Sequence, residues 1–255
     1  MTKLVVSPIG GVGQIGSNAT LISYKNTHII IDAGILFPYE DSFDINYLIP
    51  DLSAIEEDIS HIVISHGHED HIGAISHYIE RFPNAEIHAP TFAKELIESK
   101  LSYLDLSKKI LRLQDQLVLE NMVIDLVHVN HSIPNTNGLH IGIKELDTGV
   151  LFISDFKSDF SSPYEAPIDL EKISELAKQY KNRIAMLDST NILSSNERTT
   201  SEGELIEDLT KFIVQAKGRV FITCFASNIH RIQTIFNIAK NEGLKVVPYG
   251  RSLLK

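Results

Sequence analysis

A disulfide framework is excluded at the outset, because Cys224 is the only cysteine in 255 residues. It lies in the apolar run RVFITCFA, where it reads as a small buried hydrophobe rather than a nucleophile. Such sparse cysteine suits a reducing cytoplasm. No apolar run approaches the ~18 residues of a membrane-spanning helix. The apolar part of MTKLVVSPIGG is too short for a secretory signal. Positive charge is scarce as well: 23 Lys and Arg stand against 33 Asp and Glu, a formal charge of −10. Broad electrostatic capture of nucleic acid is therefore disfavoured, although metal ions and a few basic side chains can create a local positive potential. No internal repeat and no low-complexity linker interrupts the chain. The 43% hydrophobic content is that of an ordinary globular protein, with room for one large domain or one and a half.

What is present begins with GGVGQIGSN, in which Gly11, Gly13 and Gly16 spell G-x-G-x-x-G after a strand-like segment at 3–8. A dinucleotide-binding loop must open a helix, whose N-terminus holds the pyrophosphate. Here ATLISYKNTHIIIDAG follows, two apolar runs joined at Lys25-Asn26-Thr27, which predicts a hairpin. The glycines therefore read as a tight backbone turn near a site. Further on, the pattern predicts short helical segments at 52–58 and 73–82, a strand at 61–65, another around 86–88 and a helix at 92–101. Strand pairs follow across Glu120-Asn121 and near Asp147-Thr148-Gly149. Beyond residue 183, strands RIAMLD, RVFIT and LKVVPYG alternate with helices at 201–216 and 230–241, a parallel α/β pattern. The change of style predicts one domain over 1–195 and the start of another over 196–255.

The stretch Ser65-His66-Gly67-His68-Glu69-Asp70-His71 ends the buried strand HIVIS and leads into a helix. Such a density of imidazole and carboxylate would be expensive as packing unless every group had a partner. In an extended loop His66 and His68 lie on one side and can share a metal, while Asp70 and His71 can reach a second. Imidazole with carboxylate suits zinc. His131, Asp155 and Asp188 each follow an apolar strand, where active sites of open sheets gather. Each alone is more often a turn or cap residue; beside the HxHxDH string, His131 and Asp155 become candidates. The remaining histidines His28, His61, His77, His88 and His140 read as structural or exposed. Ser227, Asn228 and Arg231, in FASNIHRIQ, can hold a phosphate at a helix N-terminus, and helix capping explains them equally well.

In this order, GGVGQIGSN, IIIDAGILFP, Ile49-Pro50-Asp51, ISHGHEDHIGA, VNHSIPN, SDFKSDF, LDSTN and FASNIHRIQ resemble segments of the metallo-β-lactamase superfamily and, within it, the β-CASP nucleases of the ribonuclease J kind. The resemblance implies an αββα sandwich, incomplete, followed by the start of a parallel α/β β-CASP domain. It implies two zinc ions, the first on His66, His68 and His131, the second on Asp70 and His71, with Asp155 bridging. Of His128 and His131, it favours His131. Asp32 would orient the metal-bound histidines, Asp70 would also assist proton transfer, and Asp188 would play a supporting catalytic role. The implied activity is zinc-dependent hydrolysis of RNA, exonucleolytic from the 5′ end, endonucleolytic or both, leaving a 5′-phosphate.

The resemblance also implies a late histidine for the second zinc and another that aids leaving-group departure, yet no histidine follows residue 231. The chain thus reads as a fragment or a truncated relative, with RNA-gripping and oligomer-forming regions outside it and apolar surface left exposed. Two other readings stand beside the nuclease. One is a catalytically silent assembly piece. The other is a small-molecule metallohydrolase such as a thioesterase or lactonase, disfavoured by FASNIHRIQ and the strand–helix continuation after LDSTN.

Overall fold

The computed structural model describes residues 3–38, 44–195, 198–250 and 253. The β-branched runs of the N-terminal half build a mixed sheet in the order β1-β2-β3-β4-β5-β6. Its strands are β1 (Val5–Gly10), β2 (Ala19–Tyr24), β3 (Thr27–Ile31), β4 (His61–Val63), β5 (Glu86–Ala89) and β6 (Ile110–Arg112). The expected hairpin joins β2 to β3 antiparallel, with Lys25 in the left-handed region at its tip (φ 54°). From β3 to β6 the strands run parallel, so their connections must cross over. These crossovers carry α1 (Glu69–Ile72), α2 (Ile75–Arg81) and α3 (Thr91–Tyr103).

A second sheet has the order β11-β10-β9-β8-β7. It comprises β7 (Gln116–Val118), β8 (Val123–His128), β9 (Asn137–Ile143), β10 (Thr148–Ile153) and β11 (Asn182–Leu187). Helix α4 (Leu170–Lys178) forms the crossover that makes β11 parallel to β10.

Period-2 alternation decides which face each residue covers. Ile30, Ile62, Ile64 and Ile87 meet Ile75, Tyr78, Ala93 and Ile97 of the helices. Their neighbours Ile29, Ile31 and Val63 turn the other way and meet Ile124, Leu139, Ile141 and Val150 of the second sheet. On that sheet's far face, Leu151 and Ile153 pack with Ile168 and with Ile173 of α4. Helix, sheet, sheet and helix thus form the expected αββα layers. Each fully buried isoleucine contributes about 2 kcal/mol of apolar transfer, so the inter-sheet core fixes the relative position of the loops at its rim.

Three expectations are corrected. The 52–58 segment forms only one 3-10 turn, Leu52–Ala54, capped by the Asp51 side chain. RVFIT and LKVVPYG form no strands, although the helices around them, α5 (Glu202–Gln215) and α6 (Ile229–Asn241), stand where the pattern predicts. A strand needs a hydrogen-bonding neighbour, and among the described residues neither segment has one. Cys224 is exposed rather than buried. Phe221 and Phe225 of the RVFITCFA run and Val247 of LKVVPYG are more than four-fifths exposed, in keeping with the expected bare apolar surface. Asn196 and Glu197, at the expected domain boundary, and Arg251, Ser252, Leu254 and Lys255 lie outside the described residues.

The glycine loop enters β2, not a helix, with left-handed backbone at Gly11, Gly13 and Gly16, which removes the dinucleotide reading. It delivers Asn18, whose amide donates to the Asp70 carbonyl at 3.0 Å while the Gly34 amide donates to the Asn18 carbonyl at 2.9 Å. The Gly34 backbone is pressed against this seam: a Cβ there would lie 1.6 Å from the Asp70 carbonyl oxygen. We predict that Gly34→Ala costs about 3 kcal/mol of stability by overpacking and also lowers the metal content of the folded protein. Thermal unfolding and metal analysis check this; an unchanged Tm and metal content would contradict it.

Candidate metal centre

Strand β4 ends at Val63, and the chain then runs extended over the rim of the inter-sheet core before α1 begins with His68 as its N-cap. Two groups of donors meet there. One comprises His66, His68, His131 and Asp155; the other Asp70, His71 and Asp155. In the first, His68 Nδ1 lies 3.1 Å from both His66 Nε2 and His131 Nε2. Asp155 Oδ2 lies 3.8 Å from His66 Nε2 and 3.4 Å from His131 Nε2. In the second, His71 Nε2 lies 3.4 Å from Asp70 Oδ2 and 3.6 Å from Asp155 Oδ1. Tetrahedral zinc with bonds of about 2.0–2.1 Å sets its donor atoms about 3.3 Å apart. The spacings bracket that value, and Asp155 turns one oxygen to each group.

The hydrogen bonds assign the imidazole tautomers. A carboxylate only accepts, so His71 Nδ1 donates to Asp32 Oδ2 at 2.8 Å and leaves a lone pair on Nε2. Ser65 Oγ donates to Asp32 Oδ2 at 2.9 Å, so the Ser65 oxygen accepts from His66 Nδ1 at 3.0 Å and His66 Nε2 keeps its lone pair. His68 is reversed: Nε2 donates to the Ser227 carbonyl at 3.3 Å, freeing Nδ1. Each lone pair points into the cluster, as metal ligation requires. The donor set therefore fits divalent metal of borderline character.

Asp32 is buried, takes a left-handed backbone (φ 65°) and accepts also from the Ser65 amide at 2.8 Å. It joins neither donor group, a geometry suited to orienting rather than ligating. Such a backbone costs about 1–3 kcal/mol, which these hydrogen bonds offset.

Burial and neighbouring imidazoles hold the His66 ring well below its ordinary value, hence neutral. Burial takes His131 down to about 4 despite the opposing pull of Asp155. Burial would raise Asp155, but the His71 hydrogen bond and the charges of His71, His131 and His68 bring it to about 2. For His71 burial acts downward, and the Asp32, Asp155 and Asp70 carboxylates overcome it, so without an ion the ring rises well above its usual range, and metal binding at Nε2 would displace the proton held there.

The other candidates are placed differently. Asp188 stays outside both groups, its carboxylate accepting from the Thr190 amide at 2.7 Å in a local turn. His128 points to the Ala166 carbonyl, 2.8 Å from Nε2, so His131 is the histidine at the cluster. Asn228 caps α6 by accepting from the Arg231 amide at 3.0 Å. Arg231 is taken by Glu202 in a two-pronged pair, 3.0 Å at each prong, which competes with the phosphate role expected for it. Ser227 meets the site through its carbonyl. Sequence reasoning missed Asn18, whose Nδ2 lies 3.3 Å from Asp70 Oδ2 and 3.1 Å from His71 Nε2. It also missed Ser65 and His230, whose Nδ1 donates to the His131 carbonyl at 3.1 Å. Their only signal was membership of the motif segments GGVGQIGSN, ISHGHEDHIGA and FASNIHRIQ.

Two stacked mixed sheets with outer helices, carrying paired His/Asp donor groups on rim loops, define an αββα class of metal-binding protein. The chain belongs to the metallo-β-lactamase superfamily, whose sequence profile matches residues 12–183. The profile of the ribonuclease J β-CASP domain matches residues 217–255. Ribonuclease J 1 of Streptococcus pyogenes is 34% identical, covering all of this chain and 47% of the relative. Ribonuclease J of Synechocystis is 31% identical over 98% of this chain and 40% of its own length. The chain thus spans less than half the length of these curated relatives. Among solved structures, an Enterococcus faecalis protein of unknown function has the same fold, with TM-score 0.68 and 17% identity over 98% of this chain and 71% of its own.

The Asp32 hub generates a prediction. Asp32→Asn replaces an acceptor of three hydrogen bonds by an amide and leaves a buried donor unpaired. Loss of one partner of a buried charged network costs about 3 kcal/mol, and outer supports of a metal site weaken affinity about 10–100-fold. Denaturant unfolding and zinc titration check both; wild-type values in both would remove Asp32 from this role.

Proposed function

We propose that this chain supplies the metal centre of a zinc-dependent ribonuclease that hydrolyses RNA phosphodiesters. Residues 1–195 would form the catalytic domain and 196–255 the start of a β-CASP domain. His66, His68 and His131 with Asp155 would hold one zinc, and Asp70 and His71 with the other Asp155 oxygen a second. Zinc pairs of this kind activate water and neutralise charge on the attacking and leaving oxygens of a phosphodiester. The observation that carries the reading is the two-sided aim of Asp155, Oδ2 toward one donor group and Oδ1 toward the other.

The protein's own groups do the positioning. Asp32 and Ser65 hold the proton on Nδ1 of His71 and His66, so both rings keep Nε2 for ligation. Ser227 and His230 bring the C-terminal region against His68 and His131, so a substrate gripped by that region would be led to the centre. Asp155, only about one-quarter exposed, keeps the centre partly open on one side. With a net charge of −10, attraction of the RNA backbone falls to the metal ions rather than to the protein surface as a whole. The relatives named ribonuclease J support RNA over small-molecule substrates, and the single cysteine fits a cytoplasmic setting.

His68→Ala removes the shared Nδ1 of the first group. We expect zinc content to fall by one ion per chain. Hydrolysis of 5′-phosphorylated RNA should fall by more than about a hundredfold, the upper end for outer-sphere changes. Elemental analysis and RNA cleavage assays read both. Retained zinc and rate would contradict the assignment, and turnover of a thioester or lactone without RNA cleavage would favour the small-molecule reading.

A further inference from the structure

Away from the rim, a third group of donors converges on the first sheet. His61 opens β4 and Glu86 opens β5, and the two are direct partners in the parallel ladder. His88 lies two residues beyond Glu86 and pairs with Val63. Val63 belongs to the inter-sheet core, so alternation puts His61, Glu86 and His88 together on the face toward the second sheet. They occupy the start of β4, whereas the His66–His71 loop leaves its end.

Three atoms form a tight triangle. His61 Nδ1 lies 3.1 Å from His88 Nε2, and Glu86 Oε2 lies 3.7 Å from the first and 3.5 Å from the second. The spacing matches the 3.1–3.8 Å between donors at the rim centre and the tetrahedral edge of about 3.3 Å. Hydrogen bonding accounts for one side of this triangle only, because the carboxylate stands too far from both rings for a good hydrogen bond. The side chain of His88 is 8% exposed, that of His61 19% and that of Glu86 58%, so the imidazoles are fixed by packing while one side stays open to solvent. Burial lowers both rings, which keeps their lone pairs available at neutral pH.

We propose that His61 Nδ1, His88 Nε2 and Glu86 Oε2 form a further metal site, separate from the rim centre, that takes one zinc-class divalent ion. Two nitrogens and one carboxylate oxygen suit zinc and its borderline neighbours. Magnesium and calcium, which want all-oxygen shells, are poorly served. Three protein donors leave a coordination position toward solvent, as in three-ligand zinc sites. An ion held there clamps β4 to β5 at the end remote from the rim.

Histidine-labelled protein, titrated with zinc and followed by long-range proton–nitrogen correlation, distinguishes ring nitrogens residue by residue. We expect His61 Nδ1 and His88 Nε2 to move to metal-bound shifts. In Glu86→Gln, an exposed substitution that leaves the core untouched, those two shifts should need more zinc while His66, His68 and His131 respond as in wild type. In His61→Asn, elemental analysis of the zinc-loaded chain should count one ion fewer than in wild type. His61 and His88 signals that stay unmoved at zinc levels saturating the rim histidines would overturn the site, as would an unchanged zinc count in His61→Asn.

Discussion

The carboxylate of Asp32 receives the Ser65 amide, the Ser65 hydroxyl and the His71 ring, all from within a buried pocket at the end of β3. The His66 and His71 parts of the rim depend on this convergence. Through Ser65 it sets the proton of His66, and through His71 it sets the second donor group. The backbone contributes its own stitches, Ala33 to His71 at 2.7 Å and Ile35 to Glu69 at 3.2 Å. The ligand loop is therefore held as a continuation of the sheet rather than as a free loop, and preorganised donors lose little entropy on capturing an ion. A buried carboxylate is costly unless fully hydrogen-bonded, and here the cost is offset by donors that themselves need fixing.

Much of this was legible in the residues. The HxHxDH string concentrates donors within one loop, so its meaning survives without knowledge of the fold. His131 and Asp155 were readable as polar residues ending apolar strands, whereas the αββα layers were implied by the family resemblance of the motif segments and not by periodicity, which gave strands and helices without their stacking. Asn18, Ser65 and His230 were not legible, because each acts by a contact that exists only once distant segments meet. His61, Glu86 and His88 show the same limit. Two of them stand 25 or more positions from the third along the chain, and only the β4–β5 register brings them together. The failure of RVFIT and LKVVPYG to form strands has a different cause: β propensity describes a residue's fit to a sheet, and nothing among the described residues offers these segments a neighbour. The same bare surroundings leave Cys224 exposed.

The C-terminal region is bound to the metallo-β-lactamase fold by a polar seam rather than by apolar packing alone. Asp159 accepts from Ser201 Oγ at 2.6 Å and from the Glu202 amide at 2.9 Å, capping α5 from the opposite segment. Glu202 in turn pairs with Arg231 of α6. The two helices are thus registered against the SDFKSDF loop, which also carries Asp155. Positioning of that bridging acid and of the helices is shared by one hydrogen-bonded chain.

His68 differs from its neighbours in offering Nδ1, and its outward nitrogen is held by a main-chain oxygen of residue 227. A side-chain replacement at 227 cannot delete that acceptor, because every amino acid brings the same carbonyl. Only a displacement of the turn before α6 can. The tautomer of one candidate ligand is consequently tied to where a distant stretch of backbone sits, so that a shift of that turn would be felt at the metal as a reoriented imidazole.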